Sequence, residues 1–323
     1  MNIAFVVENP LPAALYGGTE RVVWGLMQVL ARWGHRLWLV APEGTRCPFA
    51  TVIIRNPRQR LEEQLPEAVE LTHFHVPVPE GFSRPYLLTV HGNSLPSNIS
   101  EQTVFVSRNH AERFGVDSFV HNGLMWQDYP QPELKLPRKR YHFLGKAAWR
   151  VKNLQGAIDT TLAIPGAHLD VLGGYRLNFR MGFRFTLSPR VHFHGMVDDE
   201  TKAELIQRSR GLIFPVRWHE PFGLAIIESL YYGAPVYGTP YGSLPELVTP
   251  EVGYLDLSAQ ALAEHIAVAS YDPQRCQDYA RELFSAERMA TDYLARYEQV
   301  LSGAKLCHRL PQPLNIERNL PWS

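Results

Sequence analysis

Two carboxylates stand eight residues apart in the stretch Glu220-Pro-Phe-Gly-Leu-Ala-Ile-Ile-Glu228, which runs on into Ser-Leu-Tyr-Tyr-Gly-Ala-Pro-Val. Proline fits a first helical turn, so Pro221 reads as the start of a helix, with Glu220 in the loop before it and Glu228 in its second turn. A helix N-terminus offers free N–H groups and partial positive charge, which suits a phosphate. Carboxylates beside it can accept hydrogen bonds from hydroxyls. Phosphate and sugar hydroxyls together describe a nucleotide sugar.

Further candidates lie where loops follow apolar runs. Lys146 and Lys152 are two cations six residues apart, after Tyr141–Leu144, and could bracket a diphosphate. A lysine at a helix start opposes the dipole, and an anionic ligand would relieve that cost. Arg150 could share the work. Gly17-Gly18-Thr19 follows the first apolar run and opens a helix, with glycines that let backbone approach a ligand and Thr19 as a cap. It is neither a dinucleotide fingerprint nor a Walker loop. His91 closes the run Tyr86–Val90. His73 with His75, and His192 with His194, alternate on strands; two ligands fall short of a metal site, and both pairs read as structural. Asp198-Asp199-Glu200 reads as the acidic start of a helix.

The elements that must carry these residues alternate. Strands are expected at 3–7, 37–40, 51–54, 71–75, 86–90, 103–106 and 119–120, with helices at 19–33 and 107–114. Tyr129-Pro-Gln-Pro-Glu-Leu-Lys-Leu-Pro-Arg-Lys-Arg140 reads as a linker. Strands then recur at 141–144, 169–172, 191–194, 211–215 and 235–237, with helices at 153–163, 200–208 and 222–232. Three helices follow, over 258–270, 273–284 and 286–301, and an irregular Pro-rich tail closes the chain. Strands alternating with helices imply parallel sheets covered on both faces. The expected division is 1–137, 138–304 and a tail 305–323, with a final helix crossing back. Ligands of such sheets bind beyond the carboxyl ends of the strands.

Composition narrows the partners. The 323 residues carry 32 basic and 32 acidic side chains, a balance that argues against non-specific nucleic-acid binding. Cys47, Cys276 and Cys307 form no C-x-x-C pair and read as thiols of a reducing compartment. No apolar run reaches the ~18–20 residues of a membrane span. The expected location is the cytoplasm, with peripheral contact at the inner face of the membrane left open.

The motifs resemble those of the family-4 retaining glycosyltransferases, with their E-x7-E signature and GT-B fold of two Rossmann-like, doubly wound α/β domains facing a central cleft. The resemblance is densest from Gly145 to Val248 and includes His121-Asn122-Gly123 before the linker, Gly173-Gly174, and Gly242-Ser243-Leu244-Pro245-Glu246-Leu247-Val248. It implies that Glu220 meets the donor sugar's hydroxyls and Glu228 the ribose. It places Phe222, Gly223 and Leu224 against sugar and phosphate, and backbone of Met196 and Val197 against the base. His91 would sit beside the sugar's 6-hydroxyl, Gly17 and Gly18 near acceptor and phosphates, and Lys146 and Lys152 on the diphosphate. His91, Lys152 and Glu220 are then the catalytic set and the others donor-binding. The family has arginine where this chain has Lys146, which keeps the charge but loses the bidentate fork.

The implied activity is hexosyl transfer with retention, from a nucleotide-diphosphate sugar (UDP- or GDP-linked) to a hydroxyl of a saccharide, lipid-linked or small-molecule acceptor. It needs no metal and no other cofactor. Two alternatives use the same scaffold: a nucleotide-sugar epimerase or hydrolase, and a non-catalytic nucleotide-sugar-binding protein.

Overall fold

The computed structural model describes residues 1–12, 17–179 and 184–323. The chain divides into two compact units, one of residues 1–126 and 284–316, the other of 127–283 and 317–323.

The first unit contains β1 (Asn2–Val6), α1 (Gly18–Arg32), β2 (Arg36–Ala41), β3 (Thr51–Ile54), α2 (Leu61–Gln64), β4 (Leu71–Phe74), β5 (Tyr86–Val90), β6 (Thr103–Phe105) and α3 (Arg108–Glu112), with the last helix of the chain, Ala286–Leu301. Its six strands are all parallel, in the order β3-β2-β1-β4-β5-β6. Ile3, Ala4, Phe5 and Val6 are all fully buried, as expected of a parallel strand covered on both faces. Val22, Val23, Leu26, Met27, Val29 and Leu30 form the buried stripe of α1. Gly34, at φ 86°, follows its C-terminus in a conformation that favours glycine.

The second unit holds β7 (Arg140–Leu144), α4 (Leu154–Ala163), β8 (Leu169–Leu172), β9 (Leu177–Asn178), β10 (Arg184–Phe185), β11 (Val191–Gly195), α5 (Asp199–Gln207), β12 (Ser209–Phe214), α6 (Leu224–Tyr231), β13 (Val236–Gly238), α7 (Leu244–Leu247), β14 (Gly253–Leu255), α8 (Ala259–Val268) and α9 (Pro273–Leu283). The last helix, α10, belongs to the first unit. The main sheet is parallel, ordered β11-β8-β7-β12-β13-β14, and β9 with β10 forms a separate antiparallel hairpin. His142 is buried in β7 between the hydroxyls of Ser209 (2.7 Å) and Ser229 (2.9 Å), and burial lowers its pKa to about 3.

Several sequence expectations meet a different arrangement. Phe119–Val120 is not a strand: Phe119 makes a single bridge to Phe105 and the pairing stops there. Helix α1 begins at Gly18 with Gly17 as its N-cap, so Thr19 lies inside the helix and does not cap it. Helix α6 begins at Leu224 rather than at Pro221, because Gly223, at φ 90°, makes the turn into the helix. The division between units falls at 126/127, ahead of the Pro-rich stretch. That stretch is bonded into the second unit, with Glu133 N donating to Gln207, Lys139 N to the Arg208 carbonyl, and Arg138 to the carbonyls of Ser209 and Tyr232. The tail is shared as well: Cys307 N donates to Glu101 O in the first unit, while Leu320 N donates to Arg217 O and Trp322 packs against the core of the second.

Candidate functional site

Both sheets reverse their winding direction beside their first strand. In the second unit the chain runs β7, β8, β11 to one side and then β12, β13, β14 to the other. The switch point therefore lies between β7 and β12, where parallel sheets form their ligand crevice. The loop after β7 carries Lys146 and Lys152, and the loop after β12 carries Glu220.

These loops meet in an ion pair. Lys152 Nζ lies 2.5 Å from Glu220 Oε2, with side-chain exposures of 13% and 7%. Trp218 Nε1 donates to the same oxygen at 2.7 Å. The ammonium also sits 5.1 Å from the ring centroids of Phe214 and Trp218, within cation–π range. Lys146, exposed, lies 5.2 Å from the Trp149 centroid, and the Trp149 and Trp218 rings meet edge-on at 6.1 Å. Lys152 is not at the start of a helix. It ends a short 3-10 turn, Arg150–Lys152, and Asn153 then caps α4 by accepting from Gly156 N at 3.1 Å. The left-handed Asn153, at φ 54°, makes that change of direction.

Glu220 is also fixed through its backbone. Ser243 N donates to Glu220 O at 2.9 Å, and Ser243 Oγ donates to Phe222 O at 2.6 Å. Gly242, at φ 64°, packs so tightly that a β-carbon there would collide with Glu220 N and O. The Gly-Ser-Leu-Pro-Glu turn is therefore the floor beneath Glu220. Phe222 is buried, while Gly223 and Leu224 are half-buried at the start of α6.

Glu228 stands in the second turn of α6. Its Oε1 takes Lys202 Nζ at 2.6 Å and Tyr129 OH at 3.1 Å. Lys202 lies on α5 and also pairs with Asp199 at 3.1 Å. Asp198 caps α5, accepting from Thr201 N at 2.8 Å. The loops after β7, β8 and β11 are laced together by Ala147 N to Gly173 O (3.0 Å) and Gly173 N to Gly195 O (2.7 Å). Met196 follows Gly195, exposed, and Val197 is half-buried.

In the first unit the switch point lies between β1 and β4. A cavity of about 400 Å³ opens there, lined by Glu8, Asn9, Thr19, Glu20, His75 and His91 among others. Gly17 and Gly18 lead into the part of α1 that lines it. His91 Nε2 lies 2.8 Å from His75 Nδ1, and burial pushes His91 down to about 4. Both imidazoles are therefore neutral at pH 7, since burial also holds His75 well below its ordinary value. His73 is a structural link, 2.8 Å from both Tyr297 OH and Thr89 Oγ. The pair on β11 splits: His194 lies 2.8 Å from Asp170 and His192 lies 3.0 Å from His168.

The sequence-predicted residues thus fall into groups. Lys152 and Glu220 are in direct contact, Lys146 stands in the same loop as Lys152, and Glu228 is engaged by residues of α5. His91, Gly17 and Gly18 belong to the first unit. Sequence reasoning missed Lys202, Tyr129 and Trp218, and it passed over His75 as a cavity-lining group. A buried partner for Glu228 was foreseeable from its apolar frame, but nothing local pointed to Lys202 26 residues earlier.

Two doubly wound, parallel-sheet α/β domains define the GT-B fold. Residues 136–283 match the family model described as Glycosyl transferases group 1. The chain is 23% identical to the D-rhamnosyltransferase WbpZ of Pseudomonas aeruginosa, over 89% of each protein. It is 28% identical to the GDP-mannose-dependent alpha-(1-6)-phosphatidylinositol dimannoside mannosyltransferase of Mycobacterium tuberculosis, over 45% of this chain and 40% of that protein. The crystal structure of AviGT4, a glycosyltransferase involved in avilamycin A biosynthesis, superposes with a TM-score of 0.77, at 21% identity, over 94% of this chain and 98% of that one. Fold and matched domain together support the class glycosyltransferase, an enzyme that transfers sugars. Among the described residues no helix is long and apolar enough to cross a membrane.

Proposed function

We propose that the protein is a retaining hexosyltransferase that takes a sugar from a UDP- or GDP-linked donor and places it on an acceptor hydroxyl. The observation that carries this reading is the Lys152–Glu220 pair at the β7/β12 switch point. Taking two charges out of water costs several kcal/mol per ion, and their attraction rarely returns a net gain over apolar packing. A pair kept there, beside a helix start, fits a ligand better than it fits a demand of folding.

In this reading the diphosphate lies against Lys146, Lys152 and the N-terminal amides of α6. Glu220 accepts from the sugar hydroxyls, oriented by Lys152 and Trp218. Glu228, anchored through Oε1 by Lys202 and Tyr129, receives the ribose hydroxyls, and backbone of Met196 and Val197 meets the base. His91, with Nε2 engaged by His75 and the ring neutral, serves as a hydrogen-bonding group rather than a cation. The bond from the anomeric carbon to the diphosphate oxygen breaks on the face where the acceptor oxygen attacks. The acceptor's proton passes to the departing diphosphate, and the lysines and helix amides stabilise the charge growing there. Protein cations fill the role a metal plays in other transferases.

One relative named above supports the donor class, since it is described as GDP-mannose-dependent. The test is a thermal-shift screen with UDP-, GDP-, ADP- and TDP-sugars, followed by transfer assays with and without acceptors. Stabilisation by a UDP- or GDP-sugar, with acceptor-dependent turnover, supports the reading. Turnover of donor alone, or no effect of any nucleotide sugar, removes it.

A further inference from the structure

Chain ends ordinarily fray unless something ties them down. The segment Arg318–Ser323 is tied down residue by residue within the second unit. Arg318 makes an antiparallel bridge to Trp218. Asn319, at φ 61°, turns the chain in a conformation that asparagine tolerates. Leu320 N donates to Arg217 O at 2.8 Å, and Arg217 Nε donates to Leu320 O at 2.8 Å. Pro321 O accepts from Tyr241 OH at 2.9 Å. Trp322 packs against the core beside Gly156, where a β-carbon would fall 2.7 Å from the indole nitrogen. Ser323 closes the series, its N donating to Leu257 O (3.0 Å) and its O accepting from Ala259 N (2.7 Å).

These contacts gather at one end of the sheet. Gly156 lies in the first turn of α4, after β7; Arg217 and Trp218 follow β12, Tyr241 follows β13 and Leu257 follows β14. Those four strands are consecutive neighbours in the sheet. The tail therefore meets the chain beyond their carboxyl ends, where the candidate site lies. Its partners are also one step from the residues of that site. Arg217 N donates to Val151 O at 2.7 Å, which fixes the neighbour of Lys152. Trp218 Nε1 donates to Glu220, and Tyr241 precedes Gly242, the glycine beneath Glu220. Covering the core needs only Leu320 and Trp322, which are buried and half-buried. The hydrogen bonds through Arg217 and Tyr241 add no apolar burial; they hold loops.

We infer that Arg318–Ser323 is a positioning element that braces the loops of Lys152 and Glu220 through Arg217 and Tyr241. Its effect on turnover rests on the function proposed above, while its effect on the loops does not. Hydrogen–deuterium exchange, nucleoside diphosphate affinity and single-turnover transfer would be measured on the whole protein as wild type, Trp322→Ala and Tyr241→Phe. Trp322→Ala loosens the tail from the core; Tyr241→Phe deletes one hydrogen bond and keeps the ring, so the fold is retained. In both, peptides covering 149–153, 216–220 and 241–244 should exchange faster, while those of β7 and β8 keep wild-type protection. The transfer rate should fall roughly tenfold or more, since small misplacements of catalytic groups are costly. Affinity for UDP or GDP should stay within about threefold, because the lysine charges and Glu228 remain in place. Ile316→Ser, exposed and upstream of the segment, should match wild type. Unchanged exchange in the three loop peptides overturns the inference, whatever the protein transfers. Faster exchange throughout the second unit overturns it as well, because the tail would then only stabilise the fold. Local loosening with an unchanged transfer rate overturns the positioning role. A wild type inert toward every nucleotide sugar removes the sugar reading alone, and local loosening would still support the brace.

Discussion

Replacing Lys152 by alanine separates its ion pair with Glu220 from its proposed role at the diphosphate. Its ammonium lies 2.5 Å from a carboxylate that is itself almost fully buried. Deleting one partner of such a pair typically costs 3–5 kcal/mol, because the other charge is left uncompensated. Trp218 still donates to Glu220, which places the expected loss nearer the lower end. For a domain of this size that corresponds to a fall in melting temperature on the order of 10 °C. The rate effect is separate. A cation aimed at charge that develops on the leaving diphosphate is worth roughly 10²–10³ in kcat. Lys152→Ala/Glu220→Ala removes both charges and should recover much of the stability while recovering none of the activity. Melting curves with single-turnover transfer rates on wild type, both single variants and the double variant would measure this. A folded Lys152→Ala protein with kcat within a few-fold of wild type would refute the phosphate role, and additive stability losses would refute the coupling.

Three further outcomes follow from the geometry. Gly242→Ala should lower both melting temperature and turnover, since a β-carbon there displaces Glu220 and the φ of 64° strains any other residue; equal activity would show that Glu220 needs no fixed floor. Lys202→Met should weaken nucleoside diphosphate binding roughly tenfold by releasing the anchor of Glu228, read by titration calorimetry; unchanged affinity would detach Glu228 from the nucleotide. Acid should destabilise the fold through its buried histidines. His91 (about 4), His110 (about 3) and His142 (about 3) are all depressed by burial, so the unfolded chain binds more protons once pH falls below about 6.5. Stability present at pH 7.5 is then lost as pH drops, by up to ~1.4 kcal/mol per unit for each histidine, until each folded pKa is passed. Urea midpoints at pH 7.5, 6 and 5 would show this, and a flat or rising midpoint would contradict it.

The frame of the fold was legible because parallel strands buried on both faces are short apolar runs. Ile3–Val6, Leu169–Leu172 and Leu212–Phe214 stand out against the helical stripes between them. The loops were legible for the same reason, since polar or glycine residues at strand ends interrupt those runs. What sequence reasoning missed depends on distant contacts. Lys202 reads as a solvated lysine on a polar helix until α5 sets it against Glu228. The Pro-rich stretch reads as a linker, yet carbonyls of Arg208, Ser209 and Tyr232 bind it into the second unit. Trp322 follows an irregular tail and still packs onto that unit's core. The β9–β10 hairpin has a clear alternation, Tyr175-x-Leu177-x-Phe179, but alternation alone does not say which face is covered. His75 was set aside as half of a weak metal pair. Its contact with His91 arises because β4 and β5 lie side by side and each histidine follows its strand directly.

The central claim is that a nucleoside diphosphate sits at the β7/β12 switch point, gripped by Lys152 and hydrogen-bonded to Glu228. Titration calorimetry of GDP and UDP into wild type, Lys152→Ala and Glu228→Gln addresses it most directly. The account predicts binding of at least one nucleotide, weakened tenfold or more by each substitution. Binding untouched by both substitutions, or no binding of either nucleotide, would contradict it.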